Sequence, residues 1–190
     1  MTGDIWLFRN HGGRGIMGWL KRQLADTILW VRKGGHPNYN HVGIEDESGA
    51  VLEATGHGAV ATHKAKELRS KQYSILIVRR ALSPAQKMEM VYHMAVMKGA
   101  PYSYATLLAH IFGRGFARWV ARRDPYDIVC SELVAKIYMR AIGYSWREWG
   151  TDRPVTTAEC RPRDIEWSTR NWKVICLTGH GQLLKGNYPS

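Results

Sequence analysis

From Cys130 to Gly143 the apolar residues Cys130, Leu133, Val134, Ile137, Tyr138 and Ala141 return every three or four positions, so this stretch predicts a helix with one face that must be buried against another layer. Gly143 is a natural stop and Asp127 a natural N-cap, which places Cys130 in the first turn. Upstream the period changes. In His41-Val-Gly-Ile-Glu45 and Val51-Leu-Glu-Ala-Thr55 alternate residues share a face, His41, Gly43 and Glu45 on one strand and Val51, Glu53 and Thr55 on the next. Asp46-Glu-Ser-Gly49 between them is turn-rich and predicts a hairpin. A loop of Asp46 to Ser48, with Gly49 at positive φ, sets His41 directly opposite Glu53; a loop two residues longer shifts the pairing but keeps both side chains on one face.

Thr2 to Arg9, Tyr73 to Arg80 and Asn171 to Leu177 also read as strands. Ser83-Pro-Ala-Gln86 is a capping-box start with proline at the first helical position, and its helix is expected to reach about Lys98 before Gly99 ends it. With 190 residues, no repeats and no Pro/Ser-rich linker, the expectation is one α+β domain over 1–178 and a loose tail over 179–190. In it an antiparallel sheet packs on helices that include the one starting at Cys130.

A thiol at a helix N-terminus has chemical meaning. Unpaired N–H groups and the helix dipole favour its thiolate, which is the nucleophilic form. A histidine brought beside it by the sheet serves as base, and a carboxylate on the same strand face orients that histidine. Glu53 is placed for that role, and Glu45, on the face of His41 itself, competes for it. The other cysteines, Cys160 and Cys176, form neither a disulfide framework nor a zinc spacing with Cys130. His57 and His63 lie near His41 in sequence, but no HExxH or CxxC accompanies them, so neither metal nor cofactor is expected.

Gly3-Asp-Ile, His41-Val-Gly-Ile, Val51-Leu-Glu-Ala54, Gly99-Ala-Pro-Tyr102 and Cys130-Ser-Glu-Leu-Val134 together resemble the circularly permuted branch of the NlpC-type papain-fold cysteine hydrolases, in its YiiX-like and lecithin:retinol-acyltransferase-like members. The order His, acid, Cys is the permuted one. The resemblance runs from about residue 3 to 165 and ends on Arg161-Pro-Arg-Asp-Ile165, similar to the short Pro-Asp segment that follows the Cys helix in that family. It implies a permuted papain-like fold with Cys130 as nucleophile, His41 as general base and Glu53 as the residue holding the histidine. Tyr102 matches the tyrosine of the family's Gly-x-Pro-Tyr stretch and is implied as an oxyanion donor beside the Cys130 N–H. Many relatives carry aspartate after this tyrosine; here Ser103 follows and is suited to cap the next helix.

Lys plus Arg total 27 against 16 Asp plus Glu, a net charge of +11 that attracts anionic partners. Arg114, Arg118, Arg122 and Arg123 surround Phe116, Trp119 and Val120 in a basic amphipathic segment. A second one, before His41, combines Trp19, Leu20, Leu24, Ile28 and Val31 with Lys21, Arg22, Arg32 and Lys33. Such segments either lie on anionic lipid or pack as ordinary surface helices. The sequence carries no secretory signal and no run of about 20 apolar residues, so cytoplasmic synthesis is the expectation, with release by lysis, a secretion system or a phage particle also compatible.

Two functions follow. One is a cysteine hydrolase, an amidase, peptidase or acyl hydrolase working through an acyl-enzyme, or an acyltransferase. Its substrates under the resemblance are bacterial cell-wall peptides or lipid and acyl amides, and an anionic membrane or wall polymer suits its charge. The other is an inactive basic binding protein on the same scaffold that associates with nucleic acid or anionic membrane, although no RNA- or DNA-binding motif is visible.

Overall fold

A computed structural model describes residues 2–10, 39, 41–63, 73–123 and 127–178. The segment of Trp19 to Lys33 and the tail 179–190 lie outside them. Six strands form one antiparallel sheet: β1 (Ile5–Asn10), β2 (His41–Glu45), β3 (Ala50–Thr55), β4 (Gly58–His63), β5 (Tyr73–Arg79) and β8 (Lys173–Thr178), in the order β4-β3-β2-β1-β5-β8. A small ribbon pairs β6 (Trp146–Arg147) with β7 (Pro154–Val155). Among the described residues five α-helices accompany them: α1 (Pro84–Met97), α2 (Tyr104–Phe112), α3 (Arg114–Arg123), α4 (Cys130–Ile142) and α5 (Pro162–Ser168). The architecture is α+β, an antiparallel sheet packed against helices.

Period-2 alternation in β1 and β2 feeds two cores. Ile5, Leu7, Val42 and Ile44 point into the main core with Cys130, Leu133, Val134, Ile137 and Tyr138 of α4, while Trp6, Phe8, Val51, Ile75 and Ile77 cluster on the other face. α4 is buried beyond its predicted stripe, since Ser131, Glu132 and Ala135 are also covered. It is held across the core by the Tyr138 hydroxyl, which donates to the Gly3 carbonyl.

Several ends differ from the sequence reading. β1 starts at Ile5, β5 stops at Arg79 and β8 runs Lys173–Thr178, and the β4 hairpin partner of β3 was not anticipated. The capping box at Ser83 forms as expected and Ser103 caps α2 through the Thr106 N–H. Asp127, by contrast, is not the N-cap of α4. That position is Val129, in extended conformation, because Ile128 just before it is committed to a parallel bridge with Tyr102. Glu132 supplies the missing cap by accepting from the Val129 N–H.

Candidate active site

His41 is the first residue of β2, at the end of the sheet. The β2–β3 hairpin takes the longer-loop register: Gly43 pairs with Glu53, Ile44 with Leu52 and Glu45 with Val51, so Glu53 sits diagonal to His41 rather than opposite it. Gly43 makes that diagonal possible. A Cβ there would stand 2.6 Å from Val51 Cγ1, 3.1 Å from the Leu52 carbonyl and 3.4 Å from Glu53 Cβ, so only glycine leaves the space across which the carboxylate reaches the ring. His41 Nε2 meets Glu53 Oε2 at 2.6 Å, and Thr62 Oγ1 on β4 donates to Glu53 Oε1 at 3.3 Å. Phe8, opposite His41 on β1, packs against the imidazole with ring centroids 5.6 Å apart. Thr62 and Phe8 were not found by sequence reasoning; the alternation of β4 after Gly58 was the available signal. Glu45 is occupied elsewhere, buried and accepting from Trp6 Nε1 at 3.0 Å.

Cys130 is the first residue of α4, where the first N–H groups of the helix have no partner one turn back. The β2–β3 ladder ends at Gly43–Glu53, and beyond it the Val42 N–H donates to the Cys130 sulfur, as does the Ser131 N–H. Since Nε2 is taken by Glu53, Nδ1 is the ring nitrogen left to address Cys130, to which His41 is hydrogen-bonded. Burial alone pushes the thiol up, yet the His41 charge, the ring hydrogen bond and the two N–H donors outweigh it and bring Cys130 below the ordinary thiol range. Burial likewise depresses His41, but the Cys130 charge, the Cys130 hydrogen bond and Glu53 together raise it from 6.5 to about 10. The two shifts run in opposite directions and share one contact, so the pairing favours thiolate with imidazolium over thiol with neutral imidazole. Cys160 contrasts with this. It is fully buried, and burial followed by the Asp164 charge holds its thiol well above the usual range.

Tyr102 arrives from a third direction. Gly99-Ala-Pro-Tyr102 is tied to β4, where Ala59 N–H donates to the Ala100 carbonyl at 2.8 Å and Gly99 N–H to the Ala59 carbonyl at 2.9 Å. Gly58 permits the approach, with φ at +91° and a would-be Cβ only 2.7 Å from the Ala100 oxygen. The same segment is tied to the chain entering α4, as Ile128 N–H donates to the Pro101 carbonyl and Ser103 N–H to the Ile128 carbonyl, both at 2.9 Å. The Tyr102 hydroxyl feels burial first and then the Cys130 charge, both raising its pKa. The hydroxyl therefore keeps its proton, within reach of the Cys130 charge.

Arg161-Pro-Arg-Asp-Ile165 supports the site from behind. Asp164, wholly buried, accepts from Arg114 Nη1 and Nη2 at 3.0 and 2.9 Å and from the N–H groups of Trp149 and Arg161, both at 2.9 Å. Arg114 also donates to the Glu159 carbonyl at 2.8 Å, and next to it the Cys160 carbonyl accepts from Ser131 Oγ at 2.7 Å. A chain of hydrogen bonds thus runs from α3 to the residue after the thiol.

Fold and site together give an α+β protein of YiiX-like architecture, a sheet whose end carries the histidine and acid and a helix whose start carries the thiol. A solved structure with that likeness is the crystal structure of metalloprotein yiiX from Escherichia coli O157:H7, with a TM-score of 0.58, 18% sequence identity, and coverage of 94% of this chain and 98% of that chain. No protein-family model and no curated protein matches the chain. The yiiX protein is described as a metalloprotein. Among the described residues of this chain no group of three or more His, Cys, Asp or Glu side chains gathers to hold a metal ion, and the ring of His41 is committed to Glu53 and Cys130.

Proposed function

We propose that this protein is a cysteine hydrolase of permuted papain-like, NlpC-type layout that works through an acyl-enzyme. The observation that carries the reading is the line Glu53, His41, Cys130 ending at the first residue of α4, with the thiol drawn below and the imidazole above their ordinary ranges. The Cys130 thiolate attacks an acyl carbonyl, and the oxyanion is met by the Cys130 N–H and the Tyr102 hydroxyl. Imidazolium His41 then gives its proton to the departing amine or alkoxide, leaving a thioester on Cys130. Neutral His41 takes a proton from water, the resulting hydroxide releases the acid, and the ion pair re-forms. Glu53 fixes the ring so that Nδ1 faces sulfur throughout. The family resemblance supports bacterial cell-wall peptides or lipid and acyl amides as substrates, and a non-water acceptor turns the same steps into acyl transfer.

Site-resolved iodoacetamide labelling of the native protein at about pH 6 tests the reading. Cys130 is expected to label far ahead of Cys160, and in a separate sample of unalkylated protein to form a thioester adduct with muropeptides or long-chain acyl amides and esters. A Cys130 that stays unlabelled while the protein is folded sinks the proposal.

Two carboxylates on the His41 face separate cleanly by mutation. Glu53→Gln is expected to lower kcat/KM by about tenfold to a hundredfold or more. Glu45→Gln is expected to leave kcat/KM near that of the parent and to cost stability, through its bond to Trp6. Equal losses of turnover in the two, or a loss only in Glu45→Gln, means that Glu53 does not orient His41.

A further inference from the structure

We propose that the outward faces of α2 and α3 seat this protein on an anionic lipid surface. Between Tyr104 and Arg123 the chain has no Asp or Glu, and α2 itself has no Lys or Arg either. A surface helix ordinarily places charge on its outer side. α2 places Tyr104, Leu108 and Phe112 there, at every fourth position and 59, 49 and 72% exposed, while Thr106 and Ala109 face inward.

The ridge continues onto α3 through Phe116 and Trp119, which are 45 and 46% exposed. Phe112 and Phe116 meet edge to face at 5.6 Å, and Phe116 stacks on Trp119 at 5.4 Å, so one aromatic surface crosses the joint between the helices. At its far end Arg122 and Arg123 are exposed, and the Arg123 guanidinium lies 3.8 Å from the centre of the Trp119 ring. The basic amphipathic segment expected from sequence divides here. Arg114 and Arg118 turn inward to Asp164 and Glu159, leaving Arg122 and Arg123 beside the aromatics.

An apolar aromatic ridge with cations at its rim matches the boundary of a bilayer, where rings enter the acyl region and guanidinium groups remain among phosphates. The single sign of charge selects an anionic lipid face over a protein face of mixed charge, and the net charge of +11 draws the molecule to it. At its near end the ridge meets Tyr102, on which Tyr104 packs edge to face at 5.0 Å. The seat goes beyond the hydrolase reading and stands whether or not Cys130 turns over.

Co-sedimentation of the full chain with vesicles tests it, using phosphatidylcholine alone and phosphatidylcholine with about 30% phosphatidylglycerol at about 0.1 M salt. The parent protein is expected to bind the anionic vesicles, to bind the zwitterionic ones far less, and to be released as salt rises. Phe112→Ser with Trp119→Ser is expected to weaken partitioning about tenfold or more. Arg122→Glu with Arg123→Glu is expected to abolish the preference for phosphatidylglycerol. Cys130→Ala, and Met88→Ser with Tyr92→Ser on the exposed side of α1, are expected to bind like the parent. The proposal is overturned if the ridge variant, folded by circular dichroism, binds as the parent does, or if the α1 variant loses as much. It is also overturned if the parent ignores anionic vesicles or if the ridge variant instead dissolves a dimer.

Discussion

A His41→Ala protein is expected to lose about a thousandfold or more of acyl turnover and, with it, the reactivity of Cys130 at mildly acidic pH. Sulfur is lowered by the imidazolium charge and by the ring hydrogen bond, and both go with the side chain. What remains is burial, which raises the thiol, opposed by the N–H groups of Val42 and Ser131 at the helix start. A depressed thiol is reactive from its lowered pKa upward, so the parent profile of alkylation rate against pH is expected to rise below the ordinary thiol range and to change again as His41 deprotonates near 10. In the variant the rise moves above the range of an ordinary thiol. A merely structural role for His41 predicts loss of folded protein and labelling of Cys160 as it is uncovered, which circular dichroism and the Cys160 signal detect. Identical inflections in the parent and a folded variant remove His41 from the mechanism.

Asp164→Ala is expected to destabilise the protein by about 3–5 kcal/mol, since it leaves the Arg114 guanidinium buried with its main counter-charge gone and strands the N–H groups of Trp149 and Arg161. For a domain of this size that is a fall in Tm on the order of 10 °C. Scanning calorimetry of Asp164→Ala, Arg114→Met and the double variant Arg114→Met with Asp164→Leu reads the effect directly. The double variant is expected to recover the part of the loss that comes from the Arg114 charge, while the N–H groups of Trp149 and Arg161 stay without Asp164. A single Asp164→Ala variant as stable as the parent would show that the network has no hold on the fold. The Ser131 bond to Cys160 also links this network to the thiol, so a marginally folded variant is expected to label Cys130 more slowly as well.

The residues that meet at the candidate site announce themselves through local pattern. Alternation in 41–45 and 51–55 assigns His41 and Glu53 to one face, and the helical stripe from Cys130 marks where the thiol sits. Parity cannot fix the offset between strands, though, which is why the diagonal pairing through Gly43 emerged only from the fold. The cap of α4 was misread because a local rule favours Asp127, whereas the bridge of Ile128 to Tyr102 keeps this stretch extended until Val129. The Arg114 to Asp164 pair spans 50 positions, and Thr62 reaches Glu53 from a strand whose register depends on two others. No window of sequence contains such contacts. Similarly, the four arginines of α3 look equivalent in sequence until inward acids claim two of them.

The pairing of Cys130 with His41 has a consequence for how the folded state responds to acid and base. Forming the pair moves one proton from sulfur to nitrogen. Where the folded chain holds thiolate and imidazolium and the unfolded chain holds thiol and neutral imidazole, each keeps one proton on these two groups, so their contribution to stability is flat there. Toward acid, the lowered thiol contributes stability that is lost as pH falls through its folded value. Above 9.0 the unfolded chain gives up its last proton while the folded one holds it to about 10, and stability declines as pH rises. The arrangement that keeps sulfur ionised therefore also ties native stability to pH from both the acid and the alkaline side.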